Sequence, residues 1–215
     1  YGITHIFMVP AVLRRTMVEI EKKTNIKRLH VHSEKSAAYM ADGYARASGK
    51  PAICMAQVIG ALNIAAGLRD AFLAHSPVIA ITGGREPKTK FKKVYQEVDD
   101  MPAFEPVTKF NATIDDVSRI PDMIDQAFRV STSGSPGPAH LQLRGNEAQI
   151  DLEEFEFESN FRISDTQIPP HRPICNDTIL NKALANIQSA KRPIIVAGGG
   201  AKHSRCSKEL IEFAE

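Results

Sequence analysis

Glu34 is the residue whose type and position best suit it for chemistry. It follows the strand-like segment Arg28–His32 and a serine, Ser33, that can cap the start of a helix. Functional sites of open α/β sheets lie at the carboxyl ends of the strands, and a carboxyl group held there can act as a general acid or base. The alternative is that Glu34 only stabilises the first helical turn through the helix dipole.

Histidine and cysteine residues do not form a recognisable metal site. His30 and His32 alternate along one predicted strand and so face the same side, but no third ligand has a suitable spacing. We therefore predict packing histidines and no bound metal. Cys54, Cys175 and Cys206 are far apart and lack a C-x-x-C pattern, which is typical of reduced thiols in a reducing compartment.

Two further segments carry weaker indications of ligand binding. A basic cluster lies in a predicted loop and consists of Arg85, Lys88, Lys90, Lys92 and Lys93. Its default interpretation is a solvated face, with a phosphate-bearing ligand as the alternative. The triple glycine 198–200 follows an apolar run, but the dinucleotide motif G-x-G-x-x-G fails at His203.

Short apolar runs alternate with amphipathic stretches along the whole chain. The predicted strands are Ile3–Val9, Arg28–His32, Pro51–Ala56, Val78–Thr82, Pro106–Phe110, Ala139–Leu143 and Pro193–Ala197. The predicted helices are Ala11–Lys22, Glu34–Ala47, Ala61–Ala74, Ser118–Ser131, Thr178–Ser189 and Ser207–Glu215. This alternation predicts an α/β fold with a parallel sheet and helices on both faces.

Composition excludes several classes of protein. The 215 residues are 43% hydrophobic and 24% charged, and 27 basic residues against 25 acidic ones give a net charge of +2. So small a charge predicts no nucleic-acid partner, and no apolar run approaches the ~20 residues that span a bilayer. Membrane, collagen-like, disordered and disulfide-scaffold classes are thereby excluded.

A composition break after Gly145 predicts the domain organisation. We expect one domain over residues 1–145, an acidic and proline-containing linker over 146–176, and the start of a second α/β domain over 177–215. The chain opens directly in a strand-like run and stops inside a helical pattern. We therefore expect it to be a segment of a longer protein.

One face of the helix that begins at Glu34 is lined by small residues. They recur at steps of three and four and are Ala37, Ala38, Ala41, Ala45 and Ser48. Such a face lets a second helix approach closely. The second helix could belong to the same domain or to the partner chain of a dimer, and the sequence leaves both open.

The string from Ser33 to Lys50, SEKSAAYMADGYARASGK, resembles the signature of thiamine-diphosphate-dependent enzymes of the acetolactate synthase-like group. Other segments resemble that family in the same order. They are Gly67–Phe72, Ser76–Gly83, Tyr95–Asp99, Thr108–Lys109, Gly134–Leu141 and Pro193–Gly200. The resemblance spans nearly the whole chain.

The resemblance implies a three-domain enzyme of which this chain holds one part. Residues 1–145 would be the pyrimidine-binding domain, truncated at its N-terminus, and 177–215 the start of a central Rossmann-like domain. The diphosphate-binding domain, which holds Mg²⁺, is absent from these residues. In the family the cofactor lies between the first domain of one chain and the third of another, which implies a homodimer or tetramer, and FAD is a possible second cofactor.

The resemblance also assigns roles to five residues. Glu34 would be catalytic, through a hydrogen bond to the pyrimidine nitrogen N1′ that promotes the imino form of the 4′-amino group. Gly60, Asn63 and Pro10 would join it in binding the cofactor. Gln96 would lie near the substrate, with an exposed loop residue as the alternative.

The function implied is that of a cytoplasmic carboligase or decarboxylase, a transferase or lyase acting on 2-oxo acids or related acyl donors. The alternative is a non-catalytic paralogue, or an assembly or regulatory module, that keeps the fold and the dimer interface. Two departures from the family pattern motivate it: Met8-Val9-Pro10-Ala11 and Gln57-Val58-Ile59 are bulkier than usual. Both are expected to narrow the same region of the pocket, so acetolactate formation does not follow from the family.

Overall fold

A computed structural model describes residues 1–148 and 168–215. The chain divides into two compact units, Tyr1–Pro170 and His171–Glu215. Most of the predicted linker lies outside the described residues, so the predicted domain boundaries stay a prediction.

The first unit is built on one sheet of six parallel strands. The strands are β1 (His5–Met8), β2 (Lys27–His30), β3 (Ala52–Ala56), β4 (Val78–Gly83), β5 (Phe110–Ile114) and β6 (Ala139–Leu143). Their spatial order is β2-β1-β3-β4-β6-β5. In register, Phe7 of β1 lies between Leu29 of β2 and Cys54 of β3.

Helices cover both faces of this sheet. They are α1 (Arg14–Lys23), α2 (Glu34–Ser48), α3 (Ala61–Leu73), α4 (Met101–Phe104) and α5 (Ile120–Thr132). The buried residues of α2, α3 and α4 share one hydrophobic cluster with the sheet, and those of α1 and α5 share the other. Every residue of β4 is buried, as a parallel strand covered on both sides should be. The predicted α/β class is confirmed.

Side chains alternate between the two faces along each strand. In β4, Val78 and Ala80 belong to the cluster under α2 and α3, whereas Ile79 and Ile81 belong to the cluster under α1 and α5. We call these the α2/α3 face and the α1/α5 face.

The prediction of a strand over Pro106–Phe110 is wrong, because only the last of these residues, Phe110, lies in a strand. Pro106 instead lies in the 3₁₀ turn Glu105–Val107, and the strand begins at Phe110. Proline lacks the N–H that an interior strand must donate, and its fixed φ suits the first position of a helical turn. The short helix α4 before this turn was not predicted.

Helix α1 begins three residues later than predicted. Ala11 and Leu13 have left-handed backbones, with φ of 84° and 45°, and so cannot extend the helix toward the sheet. Helix α5 likewise starts at Ile120, after a 3₁₀ turn over Val117–Arg119.

The small-residue face of α2 is filled by α3. Ala37, Ala38, Ala41 and Ala45 are buried, whereas Ser48 is exposed. A Cβ atom at Gly67 of α3 would lie 2.6 Å from the Ala38 Cβ and 2.8 Å from the Lys35 carbonyl oxygen. The stripe therefore serves helix packing inside the domain.

The second unit contains α6 (Asp177–Ser189), α7 (Gly199–Ser204) and α8 (Ser207–Ala214). The strand predicted over Pro193–Ala197 is not formed in the described structure. Ile194 and Val196 are 87% and 90% exposed, and a strand without a neighbour has no partner for its backbone groups. Gly199 and Gly200 open α7, so the predicted strand–turn–helix arrangement is also missing there.

Across the described residues, none of the helices has the length and apolar character that crossing a membrane requires. The same residues hold no group of three or more His, Cys, Asp or Glu side chains able to bind a metal ion.

Candidate functional site

The five predicted site residues all follow the carboxyl ends of strands that are neighbours in the sheet. Glu34 follows β2, Pro10 follows β1, Gly60 and Asn63 follow β3, and Gln96 lies in the segment after β4. The strands occur side by side in the order β2-β1-β3-β4. Parallel pairing therefore places all five at one edge of the sheet.

Glu34 is the first residue of α2 and is half-buried. Ser33 occupies the N-cap position with an extended backbone, but within the described residues its side chain makes no capping hydrogen bond, contrary to the sequence-based expectation. The favourable interaction between the helix dipole and the Glu34 side chain remains, because Glu34 is the acidic residue of the first turn of α2.

Gly60 and Asn63 are in direct contact with Glu34. A Cβ atom at Gly60 would lie 2.4 Å from Glu34 Cγ and 2.6 Å from its Cδ, so only glycine leaves room for the carboxyl group. Asn63 Nδ2 donates a hydrogen bond of 3.1 Å to Glu34 Oε2. The structure thus joins three of the predicted residues into one cluster.

The second carboxyl oxygen, Glu34 Oε1, has no hydrogen-bond partner among residues 1–148 and 168–215. Because Asn63 donates to Oε2, a proton on this carboxyl group belongs on Oε1. The arrangement can therefore hold a proton at one defined oxygen and offer it to a nitrogen atom of a ligand.

Gln96 contacts a residue that sequence analysis missed. Its Oε1 accepts a hydrogen bond of 3.0 Å from Asn146 Nδ2, and the Asn146 carbonyl accepts one of 2.8 Å from the Val58 N–H. Since Val58 opens the 3₁₀ turn that ends at Gly60, these bonds tie Gln96 to the turn behind Glu34. Asn146 lies three residues beyond β6, at the same sheet edge, and that position is the signal by which it could have been found.

A small cavity of about 80 Å³ lies beside Gln96. Val58, Gly84 and Asn146 contribute to its wall. Val58 therefore contributes to the region near Gln96, whereas Ile59 is 53% exposed.

The other departure from the family pattern has a different effect. Met8 is buried in the α1/α5 face, on the opposite side of the sheet from the helix that carries Glu34. The expectation that Met8 narrows the same region is thus wrong, because strand residues alternate between faces. Pro10 is exposed at the site edge, and no hydrogen bond in the described part of the chain joins it to Glu34.

His30 and His32 are both exposed, so the prediction of packing histidines is wrong. Strand β2 ends at His30, and His32 lies in the connection to α2. The buried histidine of the domain is instead His140, in β6.

His140 is the centre of a buried polar network on the α2/α3 face. Its Nδ1 lies 2.7 Å from Asn111 Oδ1, and its Nε2 lies 2.8 Å from Thr82 Oγ1. Asn111 Nδ2 donates to the Met101 carbonyl at 2.9 Å, which fixes the amide oxygen toward the histidine. His140 Nδ1 must then be the donor and Nε2 the acceptor from Thr82.

Burial lowers the pKa of His140 to about 3, so the ring stays neutral. It stacks on Phe104 of α4 with the ring centroids 3.5 Å apart. The network therefore holds α4 in place. Helix α4 comes directly after the segment that carries Gln96.

Asp100, directly before α4, is a second buried titratable group. Burial and then the neighbouring charge of Asp99 raise the pKa of Asp100 to about 6, against the opposing effect of Arg85. Its Oδ2 has no hydrogen-bond partner among the described residues.

Both the sequence and the fold are similar to those of known proteins. Residues 1–103 match the family model "Thiamine pyrophosphate enzyme, N-terminal TPP binding domain", thiamine pyrophosphate being another name for thiamine diphosphate. The probable acetolactate synthase large subunit of Methanocaldococcus jannaschii is 32% identical over 100% of this chain and 36% of its own length. The acetolactate synthase of Arthrospira platensis is 33% identical over 100% of this chain and 38% of its own.

Among solved structures, the thiamine diphosphate-dependent 4-hydroxybenzoylformate decarboxylase of Rhodococcus jostii RHA1 superposes with a TM-score of 0.77. It is 20% identical, and the match covers 100% of this chain and 40% of that one, which shows the fold. The chain spans little more than a third of the length of the curated relatives it matches. It belongs to the thiamine pyrophosphate enzyme family, in the acetolactate synthase-like group, and its residues 1–103 match the family's N-terminal TPP-binding domain.

Proposed function

We propose that this chain is the pyrimidine-binding part of a thiamine-diphosphate-dependent carboligase or decarboxylase acting on 2-oxo acids or related acyl donors. The observation that supports it is the Glu34 carboxyl group, with Oε2 bonded to Asn63, Gly60 packed behind it and Oε1 open.

The residues present fit the cofactor. The bare backbone at Gly60 makes a cradle for the carboxyl group, and Glu34, Gly60, Asn63 and Pro10 line the edge where the aminopyrimidine ring would bind. When bound, thiamine diphosphate supplies a carbon centre that takes up the negative charge left as a 2-oxo acid loses CO₂.

Glu34 performs the proton chemistry of this chain. With Oε2 occupied by the Asn63 amide, a proton carried by the carboxyl group would lie at Oε1, where it would face a ring nitrogen of a bound aminopyrimidine. Gly60 lets the carboxyl group stay in place without steric conflict. Asn63 fixes its rotation, because an amide donor on one oxygen leaves only the other for the ligand.

Gln96 is the proposed contact for the substrate. Its Oε1 is held by Asn146, which leaves the Nε2 donors without a partner among the described residues. Two N–H donors suit the carboxylate of a 2-oxo acid. The Val58 turn bonded to Asn146 sets the distance between this donor and the Glu34 cluster.

The remaining parts of the active site are proposed from the family. The curated relatives are nearly three times as long as this chain, and we place the Mg²⁺ ion and the diphosphate in a domain beyond these residues, so that the segment alone is inactive. A homodimer or tetramer completes the site, and FAD is a possible second cofactor. The three cysteines are free, in keeping with a reducing compartment such as the cytoplasm.

Replacing Glu34 by Gln in the full-length protein tests this proposal. Gln cannot exchange a proton at Oε1, so the rate of thiamine-diphosphate-dependent CO₂ release from a panel of 2-oxo acids should fall about 10²- to 10⁴-fold. The matched control is Glu105→Gln, the same change at an exposed carboxyl group in the turn before β5. The thermal midpoint of both variants shows whether either is misfolded.

Wild-type turnover that survives Glu34→Gln would contradict the catalytic role. The second candidate, a non-catalytic paralogue or assembly module, is favoured by the bulk of Val58 beside Gln96. In that case the wild-type protein releases no CO₂ from any 2-oxo acid, and Glu34→Gln changes stability alone.

A further inference from the structure

We infer that the loop formed by residues 88–95, here called the basic aromatic loop, binds the nucleoside diphosphate group of a small ligand. The loop reads Lys-Thr-Lys-Phe-Lys-Lys-Val-Tyr, with four lysines and no acidic residue. The whole chain has a net charge of only +2, so this charge is concentrated locally. A local excess of ammonium groups attracts phosphate.

The lysines of the loop are not neutralised by the acids around it. Asp99 is paired with Arg85, with Arg85 Nη2 and Asp99 Oδ2 3.1 Å apart. Glu97 Oε2 lies 2.8 Å from the Thr89 hydroxyl. All four lysines are exposed, and in the described part of the chain none of them forms an ion pair.

Two aromatic side chains project from the same loop. Phe91 and Tyr95 are each 83% exposed, a large apolar area to leave in water within five residues. Lys90 Nζ lies 5.3 Å from the centroid of the Phe91 ring, so a cation and a stacking surface are adjacent. A nucleotide presents the complementary pair, an aromatic base and charged phosphates.

The base of the loop is held in place. Thr89 Oγ1 lies 3.0 Å from the Glu86 carbonyl oxygen and 2.8 Å from Glu97 Oε2. The Arg85–Asp99 ion pair joins the residues on either side of the loop. Tyr95 adjoins Gln96, which places the loop beside the proposed substrate contact. Nucleotide binding here involves no part of the Glu34 cluster and does not rest on the proposed function.

The observations favour a mononucleotide over a nucleic acid. A polynucleotide needs a charged groove that follows several phosphates, whereas here the lysine cluster spans only eight residues of a nearly neutral chain.

The test is calorimetric titration of the full-length protein with ADP, inorganic pyrophosphate and adenosine. Saturating thiamine diphosphate is present so that ADP cannot occupy the cofactor site. We expect ADP to bind more tightly than either of its parts and to weaken as salt rises. The variant Lys90→Gln, Lys92→Gln, Lys93→Gln should weaken ADP about tenfold or more.

The matched control is Lys27→Gln, Lys50→Gln, Lys191→Gln, which removes the same charge from exposed positions outside the loop and should change ADP affinity by less than about twofold. Phe91→Leu with Tyr95→Leu should weaken ADP but not pyrophosphate. Glu34→Gln should bind ADP as the wild type does, which separates this result from the proposed function.

Several results would overturn the inference. They are the absence of ADP binding at millimolar concentration, equal loss of affinity in the loop and control variants, pyrophosphate binding as tightly as ADP, and tighter binding of a single-stranded oligonucleotide than of ADP.

Discussion

The two faces of the sheet are packed in different ways. On the α2/α3 face most of the buried side chains are alanines, and α2 and α3 approach so closely that Gly67 has no room for a Cβ atom. On the α1/α5 face the buried side chains are mostly isoleucine, leucine and methionine. That face has a cavity of about 230 Å³ that is partly open to solvent, and its lining residues are aliphatic or methionine except for Thr16.

The difference shows which face positions the site. Glu34 begins α2, and Gly60 and Asn63 lie at the start of α3. Close packing leaves little room for displacement, so the tight contact between these helices holds the Glu34 cluster in place. The α1/α5 face carries none of the three and tolerates a void.

Polarity also separates the faces. The α2/α3 face buries His140, Thr82 and Gln142 beneath α4 and the neighbouring turn, whereas the side chains that the same strands turn to the α1/α5 face are aliphatic. Burying a polar group costs free energy unless the group is hydrogen-bonded. Because the α2/α3 face buries the titratable side chain His140, we expect pH to change the stability of the fold through that face and not through the α1/α5 face.

The largest expected effect is the acid sensitivity of His140. Its pKa is about 3 in the folded protein and about 6.5 in the unfolded chain. Between these values the unfolded chain binds more protons, so the stabilisation is complete above pH 6.5 and is lost as pH falls toward 3. Between pH 7 and pH 4 we expect a loss on the order of 3 kcal/mol that His140→Phe does not show.

Urea unfolding of both proteins at pH 7, 5.5 and 4 measures this difference. His140→Phe also loses stability at pH 7, since Thr82 and Asn111 lose a partner, so the slope against pH is the informative quantity. Parallel curves for the two proteins would show that His140 is not the acid-sensitive group.

Gly67→Ala tests the tight contact itself. The new methyl group meets the Lys35 backbone oxygen, which cannot move aside as a side chain can, and we expect a loss of about 2 kcal/mol in the free energy of unfolding. Gly43→Ala is the control, because a Cβ there meets no atom within 4 Å. Being inside α2, it should gain up to ~1 kcal/mol. Equal signs for the two variants would contradict the close contact.

Asp100→Asn should have a smaller effect, opposite to that of His140 in its pH dependence. The raised pKa of Asp100, about 6, means that its favourable contribution is present below pH 3.8 and is lost as pH rises through 6. The asparagine variant should therefore be more stable than wild type by roughly 1–2 kcal/mol at pH 8, with little difference at pH 4. The same change at exposed Asp115 should leave both values unaltered. A gain that is independent of pH would rule out a role for ionisation.

The smallest effect is expected from filling the cavity. Ile124→Phe adds volume at the cavity wall on the α1/α5 face and should stabilise the fold by ~0.5–1 kcal/mol. The same substitution at Ile64, which is fully buried on the α2/α3 face, should instead cost ~1–3 kcal/mol. Thermal melts of the pair compare the faces directly, and a loss at both positions would mean that the two faces are equally well packed.

Much of the fold could be predicted from local sequence patterns. The continuous apolar run of β4 and the glycine that ends α2 at residue 49, with φ of 65°, are strong local signals. The errors fell where a local pattern needed a distant partner. The run Pro193–Ala197 looks like a strand but has no neighbour in the described structure.

The candidate site shows the same division. The residue types Glu34, Gly60 and Asn63 and their places after strand ends could be read from the sequence. Their mutual contacts could not, because 29 positions separate Glu34 from Asn63 and only the pairing of β2, β1 and β3 brings them together. Asn146, 50 positions from Gln96, was missed for the same reason.

The sequence by itself determined the α/β class, the family resemblance and the acid at the head of α2, since each depends on residues close together in the chain. Only the tertiary structure decided which atoms meet: Gly60 behind the Glu34 carboxyl group, α3 against the alanine stripe, Met8 on the far face and His140 neutral between Thr82 and Asn111. Strand order and helix packing set those contacts, and they depend on burial across the whole domain, which no local window of sequence contains.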